Sequence, residues 1–215
     1  MKRVTAALAI LLLAGPPARA FTVEVKDTSG ESVADAVVYA VPLGADGAAL
    51  REPPPTAIDQ IDKEYVPYVT AVRVGTRVSF PNRDQIRHHV YSFSEAKTFE
   101  IPLYQGTPRE AVLFDAPGVV VLGCNIHDWM KAYVFVTESP YFSVTDGEGR
   151  AILGDLPARG YRFEVWHPRL KGPPSATATE VSVGDPARET VTIVIDQKQV
   201  WRPRRAPGAG DATYR

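Results

Sequence analysis

The side chains best suited to metal chemistry lie in one short stretch, residues 123–130. It holds Cys124, the only cysteine of the chain, followed by His127 and Met130 in the spacing C-x2-H-x2-M. Thiolate, imidazole and thioether are soft or borderline ligands, and as a set they suit copper better than magnesium, calcium or zinc. A trigonal copper site with a weak axial methionine needs a second imidazole. The rest of the chain must therefore supply one more histidine.

The best upstream candidates are two adjacent histidines in residues 80–90, which read F-x-N-x-D-x3-H-x-V. A β-strand here places His88 and His89 on opposite faces. The apolar residues Tyr91 and Phe93 share the face of His89, and hydrophobicity alone therefore slightly favours His89 as the inward residue. The residues by themselves leave the choice between the two histidines open.

Taken together, the two stretches resemble the ligand motifs of the cupredoxins, the type 1 blue copper proteins, with a ligand loop spaced as in the amicyanins. In that family an asparagine precedes the first histidine by six residues, as Asn82 precedes His88. The resemblance covers residues 56–137 and includes Phe114, Pro117 and Gly118 before the cysteine. It implies a Greek-key β-sandwich or barrel holding one mononuclear type 1 copper, with the ligands His88, Cys124, His127 and Met130.

Two positions depart from the family pattern. His89 stands where the family usually has an asparagine that hydrogen-bonds near the cysteine, and Asp128 stands where amicyanin-like loops have proline. A carboxylate beside His127 is expected to favour the oxidised site and lower its reduction potential. Zinc is the alternative metal, although it prefers a harder fourth ligand than a thioether. A lone cysteine is also often just a small buried hydrophobic residue. A c-type haem is excluded because the chain lacks C-x-x-C-H.

The N-terminus predicts export. Residues 1–20 read as a signal peptide, with Lys2 and Arg3 before an apolar run at 4–14 and a small-x-small pattern ending at Ala20. No later stretch is long and apolar enough for a transmembrane helix. We therefore expect a periplasmic protein. One cysteine cannot form an internal disulfide, and metal ligation explains its presence in an oxidising compartment.

The flanks of the copper motifs predict a second β-sandwich. Residues 21–43 and 141–165 each resemble half of a carboxypeptidase-regulatory (transthyretin-like) domain, an immunoglobulin-like fold. The predicted organisation is a discontinuous sandwich, 21–52 and 138–197, with a cupredoxin domain inserted at 53–137. Two consecutive domains, with 21–50 belonging to the cupredoxin, are the alternative. Both parts should be all-β, with residues 94–110 forming a variable excursion and 198–215 a basic, disordered tail.

Charge and composition restrict the function. Residues 21–197 carry 16 basic and 24 acidic side chains, a formal charge of about −8, which argues against nucleic acid binding. No catalytic set stands out among four histidines, so an enzyme is not expected. The sequence predicts an electron-transfer protein with one copper; the alternatives are a copper-binding or delivery protein, and an interaction module with a degenerate cupredoxin.

The resemblance also indicates how electrons and partners would reach the site. In cupredoxins the equivalent of His127 lies at the surface edge through which electrons pass, and Ile126 and Trp129 would flank it as an apolar docking patch. Trp129 is equally compatible with a packed core position. The acidic body favours a basic redox partner such as a cytochrome c. Proteins with this domain combination resemble those labelled methylamine-utilisation proteins, which implies an amine-oxidising dehydrogenase as another partner.

Overall fold

The computed structural model describes residues 20–44, 51–154, 156–184 and 189–199. Apart from a 3₁₀ turn at Pro174–Thr177, the regular structure of these residues is β-strand, which confirms the predicted all-β fold class. The strands are β1 (Phe21–Asp27), β2 (Val37–Pro42), β3 (Thr56–Ala57), β4 (Asp59–Ile61), β5 (Glu64–Val66), β6 (Val69–Arg73), β7 (Thr76–Ser79), β8 (His88–Ser94), β9 (Lys97–Tyr104), β10 (Val112–Phe114), β11 (Gly118–Gly123), β12 (Lys131–Thr137), β13 (Tyr141–Val144), β14 (Arg150–Leu153), β15 (Gly160–Trp166), β16 (Thr179–Ser182) and β17 (Thr190–Ile195).

Strands from both ends of the described chain form two sheets around one core. One sheet has the order β14-β1-β17, and the other has the order β13-β2-β15-β16. The alternation expected for 21–27 is present, because Phe21, Val23 and Val25 are buried while the residues between them are half-buried. The shared core contains residues of both sheets, including Tyr161 and Phe163 of β15.

The intervening residues 56–137 build the sheets that carry the predicted ligands. A five-stranded sheet has the order β6-β12-β11-β8-β9, and a three-stranded sheet has the order β10-β7-β3. Val78 and Phe114 of the smaller sheet share a buried core with Val120 and Leu122 of the larger one. The short strands β4 and β5 form a separate antiparallel hairpin. His88 and Cys124 belong to neighbouring strands of the five-stranded sheet or follow directly after them.

A third apolar cluster joins the five-stranded sheet to the sheet that contains β2 and β15. Val37, Val69, Phe135 and Trp166 are its buried members. The ring of Phe135 lies 5.2 Å from that of Trp166 and 5.3 Å from that of Tyr39. One face of β12 therefore lines the core around the ligand strands, and the other packs against the neighbouring sheet.

The prediction for residues 94–110 is wrong in its central part. Lys97–Tyr104 form β9, which pairs antiparallel with β8 at the edge of the five-stranded sheet. Phe99 and Ile101 are only partly buried where they pack on the core. The alternation breaks within this strand because the register with β8 shifts by one residue between Ile101 and Tyr104, where Leu103 is 51% exposed.

Three predictions on organisation remain predictions. The domain boundaries at 52/53 and 137/138 are predictions about which residues fold as one unit. The sheets show which strands pair with each other, and this does not test the boundaries. The signal peptide lies outside the described residues except for Ala20, and the tail lies outside them beyond Gln199. In the described part of the chain, no helix has the length and apolar character needed to cross a membrane.

Candidate metal centre

The side chain of His88 points into the core, and that of His89 does not enter the same site. His88 is fully buried, and it shares its face of β8 with Val90 and Ser92, which are also fully buried. The opposite face ends in Phe93, whose side chain is 80% exposed. His89 lies on the other face, where it is 4% exposed; its Nε2 is 2.8 Å from Oε1 of Glu100, and its Nδ1 also lacks a hydrogen-bond partner, but it does not belong to the donor set of His88, Cys124 and His127. The inward histidine is therefore the one that the family spacing selects.

One ring nitrogen of His88 has a hydrogen-bond partner, and the other has none. Its Nε2 lies 2.7 Å from Oδ2 of Asp84, whereas its buried Nδ1 has no hydrogen-bond partner. Backbone N–H groups and His88 lower the pKa of Asp84 against the opposing effect of burial. An ionised carboxylate can only accept a hydrogen bond, so Nε2 carries the hydrogen, and in the neutral ring Nδ1 presents a lone pair. A carboxylate on the far nitrogen is the usual arrangement of a metal-binding histidine.

The loop before β8 holds Asp84 in place. Asn82 donates two side-chain hydrogen bonds, to the carbonyls of Ile86 at 2.8 Å and Tyr104 at 3.0 Å. The Asn82 Oδ1 accepts the backbone N–H of Asp84 at 2.9 Å. These bonds fix the turn from which Asp84 reaches His88. The asparagine in the family motif therefore acts on the shape of the loop that orients the histidine.

Cys124 follows β11 and turns inward. Val120 and Leu122 are fully buried, and Cys124 is 4% exposed, as the predicted period-two alternation requires. Burial raises the pKa of the Cys124 thiol, but His88 and the backbone N–H groups of His89 and Ile126 outweigh that effect and lower it. The thiolate is the form that binds metals, and this environment favours it.

His127 completes a compact set of donors. Its Nδ1 lies 3.9 Å from Sγ of Cys124, and its ring centroid is 5.0 Å from that of His88. The ligand loop turns at this point, because the backbone N–H of Met130 donates to the carbonyl of His127 at 2.9 Å. His127 is half-buried. Burial, followed by the positive charges of His88 and Lys63, lowers the pKa of His127, so its neutral form is favoured at neutral pH.

One donor atom from each of His88, Cys124 and His127 lies within 4.8 Å of the other two; these residues are the ligand cluster. Bonds of about 2.0–2.3 Å between a metal such as zinc and sulfur or nitrogen would place two donor atoms of one ion at a comparable distance from each other. The distances within the ligand cluster are therefore compatible with one shared ion. The side chain of Met130 is 2% exposed and belongs to the same buried core as Cys124. Its role as a fourth ligand remains a prediction.

The donor chemistry fits a mononuclear metal site. The cluster combines a cysteine with a lowered pKa, a buried imidazole nitrogen that lacks a partner, and a second imidazole beside the sulfur. Burying an unpaired imidazole nitrogen without a metal costs free energy, of order 1–3 kcal/mol. Two imidazoles and one thiolate match the trigonal set typical of blue copper sites. Copper therefore fits these residues better than magnesium or calcium.

Comparison with solved structures finds partial, low-identity similarity to copper proteins and cupredoxins. A Cu-containing nitrite reductase from Thermus scotoductus shares 29% identity over 46% of this chain, with a TM-score of 0.38, and the match spans only 25% of the reductase. A purple cupredoxin from Nitrosopumilus maritimus shares 24% identity over 38% of this chain and 99% of its own length, with a TM-score of 0.35. A reduced mutant of amicyanin shares 23% identity over 43% of this chain and 85% of its own, with a TM-score of 0.34. No protein-family profile and no curated protein matches the chain.

The motifs predict the ligand cluster but not the groups around it. Asp84 is the aspartate of the motif F-x-N-x-D-x3-H-x-V, and its position four residues before His88 is the one local signal of their contact. Tyr65 carries no such signal. Its hydroxyl reaches the carbonyl oxygens of His89 and Gly123 from a distant strand.

Proposed function

We propose that this protein is an electron-transfer protein that carries one mononuclear type 1 copper and catalyses no reaction of its own. The observation that carries the proposal is the convergence of one donor atom from each of His88, Cys124 and His127 within 4.8 Å of the other two. These three residues would hold the metal, with Met130 as a weak fourth ligand. Bound copper supplies a one-electron couple between Cu(I) and Cu(II).

The protein's own residues suit that task in two ways. Cys124 and His88 are at most 4% exposed, so water is kept away from two of the ligands. They belong to, or directly follow, neighbouring strands of one sheet, and packed strands resist the rearrangement that two oxidation states would otherwise require. A ligand set that moves little between the two states lowers the reorganisation accompanying electron transfer; the role of strain in such sites is debated.

We propose that electrons enter and leave near His127. This side chain is half-buried, whereas His88 is fully buried, so His127 lies closer to solvent. Ile126 beside it is 48% exposed and offers apolar contact area. The ring of Trp129 lies 5.2 Å from that of His127 and is half-buried, with Nε1 donating to the carbonyl of Lys63 at 3.1 Å. Trp129 thus supports the loop rather than serving chiefly as an exposed contact.

The proposed partners and location follow from charge and the N-terminal sequence. Residues 21–197 carry a formal charge of about −8, which favours a basic redox partner such as a cytochrome c. The resemblance to methylamine-utilisation proteins adds an amine-oxidising dehydrogenase as a candidate electron donor. The predicted signal peptide at 1–20 supports a periplasmic location.

The function is tested by copper titration and visible spectroscopy on protein lacking residues 1–20. We expect one equivalent of Cu(II) to give an intense thiolate-to-copper absorption band that disappears on one-electron reduction and returns on oxidation. Cys124→Ser and His88→Ala should abolish the band. His89→Ala is the matched control and should retain it, because the His89 side chain pairs with Glu100 outside the cluster.

Two results would contradict the proposal. A colourless protein that binds copper would indicate a copper-binding or delivery protein. A protein that binds no copper would leave an interaction module with a degenerate cupredoxin.

A further inference from the structure

The hairpin formed by β4 and β5 contacts each segment that carries a ligand. It spans Asp59–Ile61 and Glu64–Val66, and its two strands form a sheet of their own. The register pairs Ile61 with Glu64, which leaves Asp62 and Lys63 as a two-residue turn. This turn and Tyr65 make hydrogen bonds to the loop before His88, to the residues beside His88 and Cys124, and to the loop after His127.

The tip of the hairpin holds the carboxylate that orients His88. Asp62 and Lys63 have φ angles of 53° and 60°, in the left-handed region that most residues avoid. In that conformation their backbone N–H groups both donate to Asp84, at 2.7 and 2.8 Å. Such backbone strain persists where surrounding contacts hold it, and it often marks functional sites. Here the strained turn supplies one donor to each carboxylate oxygen of Asp84, and one of these oxygens, Oδ2, also contacts His88.

Tyr65 links β8, which begins at His88, to β11, which ends just before Cys124. Its side chain is 3% exposed, and its hydroxyl lies 2.9 Å from the carbonyl oxygens of both His89 and Gly123. A phenol has one proton, so it donates to one carbonyl at a time and bridges the two. Burial and nearby Cys124 raise its pKa, and the hydroxyl therefore remains a donor at all ordinary pH values.

The third contact reaches the ligand loop. Trp129 lies between His127 and Met130, and its Nε1 donates to the carbonyl of Lys63 at 3.1 Å. The turn thus donates to the loop before β8 through its N–H groups and accepts from the ligand loop through a carbonyl.

We propose that the β4–β5 hairpin is the positioning element of the metal centre, with Tyr65 setting the distance between the His88 and Cys124 segments. The family pattern assigns a hydrogen bond near the cysteine to the side chain at position 89. In this protein the His89 side chain binds Glu100 instead, and Tyr65 joins the segments. The inference rests on the proposed copper function.

The test compares Tyr65→Phe with Tyr39→Phe in protein lacking residues 1–20. Both changes delete a buried or half-buried hydroxyl that makes a hydrogen bond; that of Tyr39 donates to Glu164 at 2.6 Å, away from the cluster. Copper affinity, the thiolate-to-copper band and the electron paramagnetic resonance spectrum are measured for each. We expect Tyr65→Phe to bind copper about tenfold more weakly, the lower end of the effect of removing partners around a metal site. Its band and resonance parameters should shift, whereas Tyr39→Phe should match the wild type in all three.

A second variant keeps the test decisive if Tyr65→Phe fails to fold. Trp129→Phe removes the indole N–H that donates to Lys63 and keeps an aromatic ring beside His127, and we expect it to alter the same spectra in a folded protein. Wild-type spectra and affinity in both Tyr65→Phe and Trp129→Phe would overturn the inference and leave the copper function intact. A wild-type protein without the copper band would overturn the proposed function itself, and the inference with it.

Discussion

The stability of this protein should depend on pH through His167, a histidine outside the ligand cluster. Its side chain is 5% exposed, and its Nδ1 accepts the backbone N–H of Arg169 at 3.1 Å. A protonated ring cannot accept this bond. Burial and the positive charge of Arg169 lower the pKa of His167 from 6.5 to about 4. In the unfolded chain the same ring takes up a proton at its ordinary pKa.

The sign and size of the effect follow from these two pKa values. Below pH 6.5 the unfolded state binds a proton that the folded state does not bind until about pH 4. The stabilisation is therefore complete above 6.5 and is lost as the pH falls toward 4. Between about pH 7 and about pH 5, the unfolding free energy should drop by about 2 kcal/mol because of this one residue.

Urea unfolding of the metal-free protein measures this drop. His167→Asn is the comparison, because an amide oxygen can replace Nδ1 as the acceptor without titrating. The wild type should lose about 2 kcal/mol more than the variant between about pH 7 and about pH 5. Other titrating groups, including His88, are common to both proteins and cancel in the difference. Equal losses in the two proteins, or a larger loss in the variant, would refute the reasoning.

Three other changes have expected outcomes. Gly149→Ala should lower the unfolding free energy by more than about 1–2 kcal/mol, because φ is +74° and the new Cβ would lie 2.7 Å from a backbone carbonyl oxygen. Gly147→Ala, which has open space around the new Cβ, is the control in the same urea assay. Equal losses in the two variants would contradict this prediction. Asp84→Asn should weaken copper binding about 10–100-fold in a competition titration, since it removes the charged partner of His88; unchanged affinity would contradict it. Asp128→Asn should raise the reduction potential by no more than about 59 mV in voltammetry, because an exposed charge is screened; a potential that does not rise would contradict it.

Much of the ligand cluster could be predicted because its information is local. The alternation of Val120, Leu122 and Cys124 determines which way the thiol points, and the fixed spacing to His127 places the second donor within the same loop. The choice of His88 over His89 needed the family spacing. Hydrophobicity misled at that point, because Phe93 is 80% exposed and its face of β8 is the outer one.

The supporting groups could not be predicted because they act across long separations. Tyr65 contacts residues 24 and 58 positions away in the sequence. Its hairpin consists of two three-residue strands, too short for a periodic pattern to show. The sequence of β9 does not show clean alternation for a different reason, since its register with β8 is irregular and Leu103 is 51% exposed. Such features depend on tertiary contacts that no local pattern records.

The central claim is that His88, Cys124 and His127 hold one copper ion. The most direct measurement is a crystal structure of the copper-loaded protein, with anomalous diffraction recorded at the copper absorption edge. The account predicts one strong anomalous peak within bonding distance of Nδ1 of His88, Sγ of Cys124 and a ring nitrogen of His127. A peak beside His89 and Glu100, or no peak in the protein, would contradict it.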